Sequence, residues 1–149
     1  MNIENFQLKY NDGKKFDLFE YLGSSWGIVF FYRGVWCTLC KKQLKEFHNH
    51  YAKFEELNVK IVAISNDTKL KSNLAENFFN LQFPVISDAK MKVIKELDLK
   101  TEFKGQTTSK PAVYIVNSEK ETVFEFIGDN HDDRFVMNDL IEKIKELQK

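Results

Sequence analysis

The chain has 149 residues, 43% of them hydrophobic and 14 of them phenylalanine, with only two cysteines. That length and apolar content predict one domain, 1–149, with a genuine core. Lysine plus arginine balances aspartate plus glutamate at 22 each, which argues against a nucleic acid or an anionic membrane surface as partner, and no apolar run approaches the roughly 18 residues of a membrane span.

The first residues, MNIENFQLKYNDGKKF, lack the basic and apolar regions of a secretory signal, so a soluble, cytoplasmic protein is expected. Asn11-Asp12-Gly13-Lys14 is a turn signal between 7–10 and 15–17 and predicts a short N-terminal hairpin. Residues 18–22 read as a helical turn ended by Gly23. The aromatic and β-branched run 26–32 reads as a buried strand, and helical periodicity then runs from the cysteines to about Leu57. A second strand is expected at 59–65, and Asn66-Asp67-Thr68 can cap a helix over 69–80. A short buried strand at 83–86 and a short helix at 88–98 follow. Residues 101–110, TEFKGQTTSK, read as a polar loop and as a surface connection rather than part of a site. Residues 110–117 and 122–127 are expected to form an antiparallel hairpin. A final helix at 133–147 is expected to start from Asp132 or Asp133 as N-cap, with an apolar stripe of Phe135, Met137, Leu140, Ile141, Ile144 and Leu147. This order predicts an α/β fold with a mixed central sheet flanked by helices.

Both cysteines lie in Tyr32-Arg33-Gly34-Val35-Trp36-Cys37-Thr38-Leu39-Cys40, where the first strand hands over to a helix. Unpaired N–H groups and the positive end of the helix dipole favour a thiolate at that point. At the ordinary pKa of about 8.5 only about 3% of a cysteine is thiolate at pH 7; at about 6.5 roughly three quarters is. The stripe Leu44, Phe47, Tyr51, Phe54 projects back onto Cys40, which assigns Cys40 to the core face and leaves Cys37 better placed to meet solvent or substrate. Arg33, Lys41 and Lys42 make the surroundings electropositive. Cys37 is therefore read as the attacking thiolate and Cys40 as its resolving partner, able to close a disulfide with it. In a reducing compartment such a pair is expected to cycle rather than staple the fold.

A zinc site is not expected. Four ligands are wanted, whereas the chain offers two cysteines and the scattered His48, His50 and His131. His48 and His50 point in different directions on a helix and are expected on the surface. A metal centre built from Asp129, His131 and Asp133 is likewise not expected, nor is any cofactor.

Four segments carry a resemblance: FYRGVWCTLCKKQLKEF at 31–47, VAISNDT at 62–68, FPVISDAKMKVIKELDL at 83–99 and KPAVYIVN at 110–117. Together they resemble the thioredoxin fold and, within it, the alkyl hydroperoxide reductase/thiol-specific antioxidant (peroxiredoxin-like) family, over nearly the whole chain. The first segment is similar to an FYRG-x-W-C-P-x-C motif, with Thr38 in place of the proline. The resemblance implies a thioredoxin-like fold with an N-terminal hairpin extension. It also implies a thiol-dependent oxidoreductase acting on a hydroperoxide or a disulfide, with an external dithiol, such as a thioredoxin-like protein, as reductant.

Two registers follow from it. Against the peroxiredoxin motif P-x-x-x-T-x-x-C, Arg33 falls on the proline, Cys37 on the threonine and Cys40 on the peroxidatic cysteine. Against W-C-x-x-C of thioredoxin, Trp36 and Cys37 match the tryptophan and the nucleophile. The threonine and the strand arginine of peroxiredoxins are absent, and Arg33 is the candidate to replace the missing charge. Arg134 matches an acidic-then-arginine stretch of the same branch. Pro111 matches the cis-proline that faces the disulfide loop, so a cis Lys110–Pro111 bond is implied. Trp36 is expected to pack over the thiols and limit water access, and Tyr32 to hydrogen-bond nearby or join the core.

Overall fold

The computed structural model describes residues 2–130 and 132–149. Strands β1 (Gln7–Lys9) and β2 (Lys15–Asp17) form the expected hairpin, with Gly13 supplying the positive φ of +89° at the turn. Asp17 then caps α1 (Leu18–Leu22) by accepting from Glu20 N, and Gly23 ends it. The centre of the fold is β3 (Trp26–Phe31), then α2 (Thr38–Asn49), α3 (Tyr51–Glu56) and β4 (Val59–Ser65). Next come α4 (Lys69–Phe78), β5 (Val85–Ser87) and α5 (Lys92–Glu96). The hairpin β6 (Lys100–Phe103) and β7 (Gln106–Ser109) precedes β8 (Ala112–Val116), β9 (Thr122–Ile127) and α6 (Met137–Leu147).

Seven strands form one mixed sheet in the order β2-β1-β5-β4-β3-β8-β9. β3, β4 and β5 run parallel, while β8 lies antiparallel to β3. The strand period of two divides β3 between two buried layers. Ile28, Phe30 and Tyr32 face the layer of α2, α3 and α6, together with both cysteines, Leu44, Phe47 and Ile144. Val29 and Phe31 face the layer of the N-terminal hairpin, α1 and α5, with Phe16, Leu18, Leu22 and Ile94. Among the described residues no helix is long and apolar enough to cross a membrane.

Four expectations are corrected here. The cysteine helix does not run unbroken to Leu57: it stops at His50, which adopts φ −103° and ψ 11° and turns its ring Nδ1 onto Glu46 O at 2.8 Å. Residues 101–110 are not a loop. All but Lys110 belong to the β6–β7 hairpin, where Lys104 and Gly105 (φ +50° and +81°) close a two-residue turn of the I′ kind. Helix α6 starts at Met137 rather than 133, because Asp133 Oδ2 accepts from Asp129 N at 2.8 Å and so tightens the preceding loop. Phe135, outside the helix, packs its ring among Phe30, Phe47 and Phe126. The Lys110–Pro111 bond is trans. Lys110 N donates to Leu99 O and Pro111 O accepts from Gly128 N, so the extended chain enters β8 without a reversal.

Candidate active site

β3 delivers the chain to the site in a fixed register, since Tyr32 N still donates to Ile64 O at 3.0 Å beyond the strand's end. The loop 33–36 is then pinned from three sides. Val35 N donates to Asp67 Oδ2 at 2.9 Å, Thr108 Oγ1 donates to Arg33 O at 2.8 Å, and Cys37 N donates to Gly34 O at 3.1 Å. Asp67 is buried, and burial raises its pKa against the Val35 N–H that lowers it. Gly34 is required by close approach, because a Cβ there would lie 2.4 Å from the indole Nε1 of Trp36.

Cys37 is the N-cap of α2, and its Sγ accepts from Cys40 N at 3.2 Å. Cys40 Sγ accepts from Arg33 N at 3.3 Å. Over both sulfurs lies Arg134, from the segment between β9 and α6. Its Nη1 is 3.4 Å from Cys40 Sγ and its Nη2 3.5 Å from Cys37 Sγ, while Nη1 also donates to Gln43 Oε1 at 2.9 Å. The planar fork of the guanidinium suits this two-pronged contact, which a lysine ammonium would not reproduce.

The pair is electrically asymmetric. A hydrogen bond from the Cys40 thiol, then the Cys40 backbone N–H and the Arg134 charge, hold the Cys37 pKa well below the ordinary thiol range despite burial. Burial, and next the hydrogen bond it donates to Cys37, push the Cys40 thiol up. One proton is thus shared unequally: Cys37 is the favoured thiolate and Cys40 the favoured thiol. Both are free cysteines.

The other expected residues are distributed differently from the reading of the sequence. Cys37 is not open to solvent: at 1% exposure it is as buried as Cys40 at 0%, within the cluster of Phe30 and Leu44. Trp36 does not close over the thiols. It is 39% exposed and stacks on Phe103 of β6, with centroids 6.1 Å apart and planes at 10°. Arg33 turns the same way, its guanidinium 3.8 Å from the Phe103 ring centroid and 5.5 Å from that of Trp36. Its charge still acts on both sulfurs, but its direct bond to Cys40 comes from the main chain. Thr38 is the exposed first residue of α2. Tyr32 is fully buried, stacks on Phe30 at 6.0 Å, and has its hydroxyl beside Ser65 and Ser72, where burial raises its pKa. Pro111 is buried and lines a cavity of about 310 Å³ with Arg33, Phe103 and Lys110.

The hairpin β6–β7, read from sequence as a surface connection, is therefore a wall of the site through Phe103 and Thr108. In the sequence Arg134 is marked only by the acidic-then-arginine stretch of the resemblance and Asp67 only as part of a helix-capping triplet, neither of which points to the thiols, and Gln43 carries no signal of its own. No periodicity links position 134 to a cysteine 97 residues earlier. Among the described residues no group of three His, Cys, Asp or Glu side chains is arranged to hold a metal ion. His131, of the Asp129–His131–Asp133 arrangement, lies outside the described residues.

Comparison with known proteins fits this geometry. A thiol-disulfide oxidoreductase ResA of Bacillus thuringiensis (strain Al Hakam) is 27% identical over 126 residues, covering 84% of this chain and 67% of the relative. The chloroplastic peroxiredoxin Q of Triticum aestivum is also 27% identical over 126 residues, covering 85% of this chain and 56% of its own length. The crystal structure of peroxidoxin BcpB from Mycobacterium tuberculosis superposes with a TM-score of 0.86 at 18% identity, covering 100% of this chain and 97% of that one, which establishes the thioredoxin-like fold. The profile of the AhpC/TSA family matches residues 2–124, and with its cysteine pair at the head of α2 this chain belongs to that family.

Proposed function

We propose that the protein is a two-cysteine peroxidase of the thiol-dependent kind, with Cys37 as nucleophile, Cys40 as resolving thiol and Arg134 as the charge that serves both. The observation that carries the proposal is the Arg134 guanidinium within 3.5 Å of both sulfurs. Peroxide reduction needs donors that hold the oxygens and stabilise the departing alkoxide or hydroxide. Arg134, with the N–H of Arg33 and the helix N-terminus, supplies such donors where the peroxiredoxin threonine is lacking.

In the first step the Cys37 thiolate attacks one oxygen of R–OOH. The O–O bond breaks, Cys37 becomes a sulfenic acid, and the leaving RO⁻ takes up a proton to depart as R–OH. The Cys40 thiol then displaces the hydroxyl of that sulfenic acid. A Cys37–Cys40 bond forms and one water is released, its second proton coming from Cys40. An external dithiol, by two successive exchanges, reduces the disulfide and is itself oxidised. A reducing, cytoplasmic setting that keeps both thiols free between turnovers belongs to the same proposal.

A second reading, reduction of a protein disulfide by Cys37 with release by Cys40, is favoured by the partly exposed Trp36 next to the nucleophile. One experiment separates the two. Fully reduced protein is mixed with hydrogen peroxide and, in parallel, with an organic hydroperoxide, and Cys37–Cys40 disulfide formation is followed by rapid quench and mass spectrometry. A rate far above that of a free thiol at equal thiolate concentration, with a sulfenic acid trapped on Cys37 in Cys40→Ser, is the expected result. A rate that only tracks the thiolate fraction overturns the peroxidase and leaves the disulfide reductase. Trapping on Cys40 in Cys37→Ser reverses the two roles.

A further inference from the structure

The two sulfurs are also a pair of soft donors with no third metal-binding side chain gathered beside them. The two ends of one guanidinium, Arg134 Nη1 and Nη2, reach one sulfur each at 3.4 and 3.5 Å, so the sulfurs are neighbours. Both cysteines stand at the head of α2, where Cys37 Sγ is turned back onto Cys40 N at 3.2 Å. Neither is in a disulfide. Among the described residues no three His, Cys, Asp or Glu side chains converge, so a metal that demands four ligands, as zinc does in structural sites, finds too few. A metal satisfied by two thiolates finds enough. Cu(I) is of that kind: it is soft, its filled d shell imposes no further ligand, and thiolates select it over harder cations.

Charge and solvent favour the same ion. With both sulfurs deprotonated the pair carries two negative charges; Cu(I) brings one positive charge and the Arg134 guanidinium another, so the sum is zero. A divalent ion in the same place would leave one positive charge uncompensated where the cysteines are 1% and 0% exposed. The other buried charged residues around the loop, Arg33 and Asp67, are one of each sign. Phe30, Leu44 and Phe47 belong to the buried cluster that holds both cysteines. These apolar walls offer none of the nitrogen and oxygen ligands that Cu(II) prefers, and they keep water from the ion. We propose that the reduced Cys37–Cys40 pair is a binding site for a single Cu(I) ion, held between the two sulfurs with Arg134 as counter-charge. On binding, Cu(I) takes the place of the Cys40 thiol proton, which leaves to solvent, and no electron is transferred. A loaded pair has no free thiolate, so the metal and a peroxide exclude each other.

The test uses the full chain, reduced and free of oxygen, with Cu(I) supplied as its coloured complex with bicinchoninate. The expected result is loss of colour to an end point of one copper per chain, and no loss with Cys37→Ser/Cys40→Ser. X-ray absorption of the loaded chain should show two sulfur neighbours and no third ligand. Both thiols should be shielded from iodoacetamide until a stronger chelator removes the metal, and Zn(II) at equal concentration should displace no copper. Arg134→Leu, with its fold checked by circular dichroism, should bind about tenfold more weakly or worse, because the buried charge no longer sums to zero. Arg134→Lys should recover part of that loss. A chain that draws no copper from the chelator overturns the proposal. So does an end point of one copper per two chains, a third ligand in the absorption spectrum, or an undiminished affinity in Arg134→Leu. None of these readouts depends on peroxide turnover, so failure here and failure of the peroxidase are separate results.

Discussion

Two arginines flank the cysteines, and their regions behave differently. Arg33 is four residues from Cys37, on the loop that closes β3, yet its guanidinium lies on the ring of Phe103 and lines the cavity with Pro111. Arg134 comes from the far end of the chain, in the segment before α6, and its guanidinium bridges both sulfurs. The nearer residue donates its main-chain N–H to Cys40 and acts on the sulfurs with its charge from a distance, whereas the distant one sets its guanidinium directly against both of them. Closeness in sequence fixes where a backbone goes; which side chain reaches a sulfur depends on the packing of separate elements.

The comparison breaks first at the side chains themselves. Arg134→Met should slow the peroxide step by roughly a hundredfold or more, the scale of losing a donor aimed at developing charge. Arg33→Met, which keeps the N–H to Cys40, should cost about tenfold or less. The readout is the stopped-flow rate at fixed pH, together with the pH midpoint of Cys37 alkylation, which should climb toward about 8.5 in Arg134→Met. Equal losses in the two variants would dissolve the distinction.

A second effect, of intermediate size, concerns pH and stability. Cys37 has a lowered pKa in the folded state, so it contributes stability that is full above the unfolded value of about 8.5 and is lost as pH falls through the folded one. Cys40 has a raised pKa, so its contribution is full below about 8.5 and is lost as pH rises toward the folded value. Relative to Cys37→Ser/Cys40→Ser, the native chain should therefore gain thermal stability from acid pH up to about 8.5 and lose it beyond. Differential scanning calorimetry of both proteins across that span checks the sign on each side. Arg134→Met should flatten the acid limb and leave the alkaline one.

The smallest effect is expected at the anchor of the loop. Asp67→Ala removes the acceptor of Val35 N–H and leaves a half-buried donor without its bond, at a cost of about 1–3 kcal/mol. Chemical denaturation should show that loss with an unchanged m-value, together with a slower Cys37 reaction because the loop no longer holds its position. A stability equal to that of the native chain would mean the loop is held by Thr108 and Gly34 alone.

Much of this was legible in the sequence because it is local. The apolar runs that became β3, β4 and β8, the Asp-Gly turn of the first hairpin and the placement of Cys37 at a helix start depend on neighbours within a few residues. The β6–β7 hairpin escaped because its strands are polar, QTTS and KTEF, and because its turn places Lys104 rather than asparagine or aspartate at a positive φ. The break at His50 escaped because the apolar period continues through Tyr51 and Phe54, so nothing in the pattern marks the interruption. The burial of Cys37 and its contact with Arg134 are products of three elements meeting, and the local pattern around either residue is silent about the other.

The fork of Arg134 also bears on electron affinity. A guanidinium that stabilises a thiolate favours the dithiol form of the pair, and the disulfide offers it no anion to hold. Preferential support of the reduced form raises the reduction potential of a cysteine pair. The Cys37–Cys40 disulfide should therefore be readily reopened by a mild dithiol, and the segment before α6, far from the cysteines in sequence, takes part in setting how strongly the pair draws electrons.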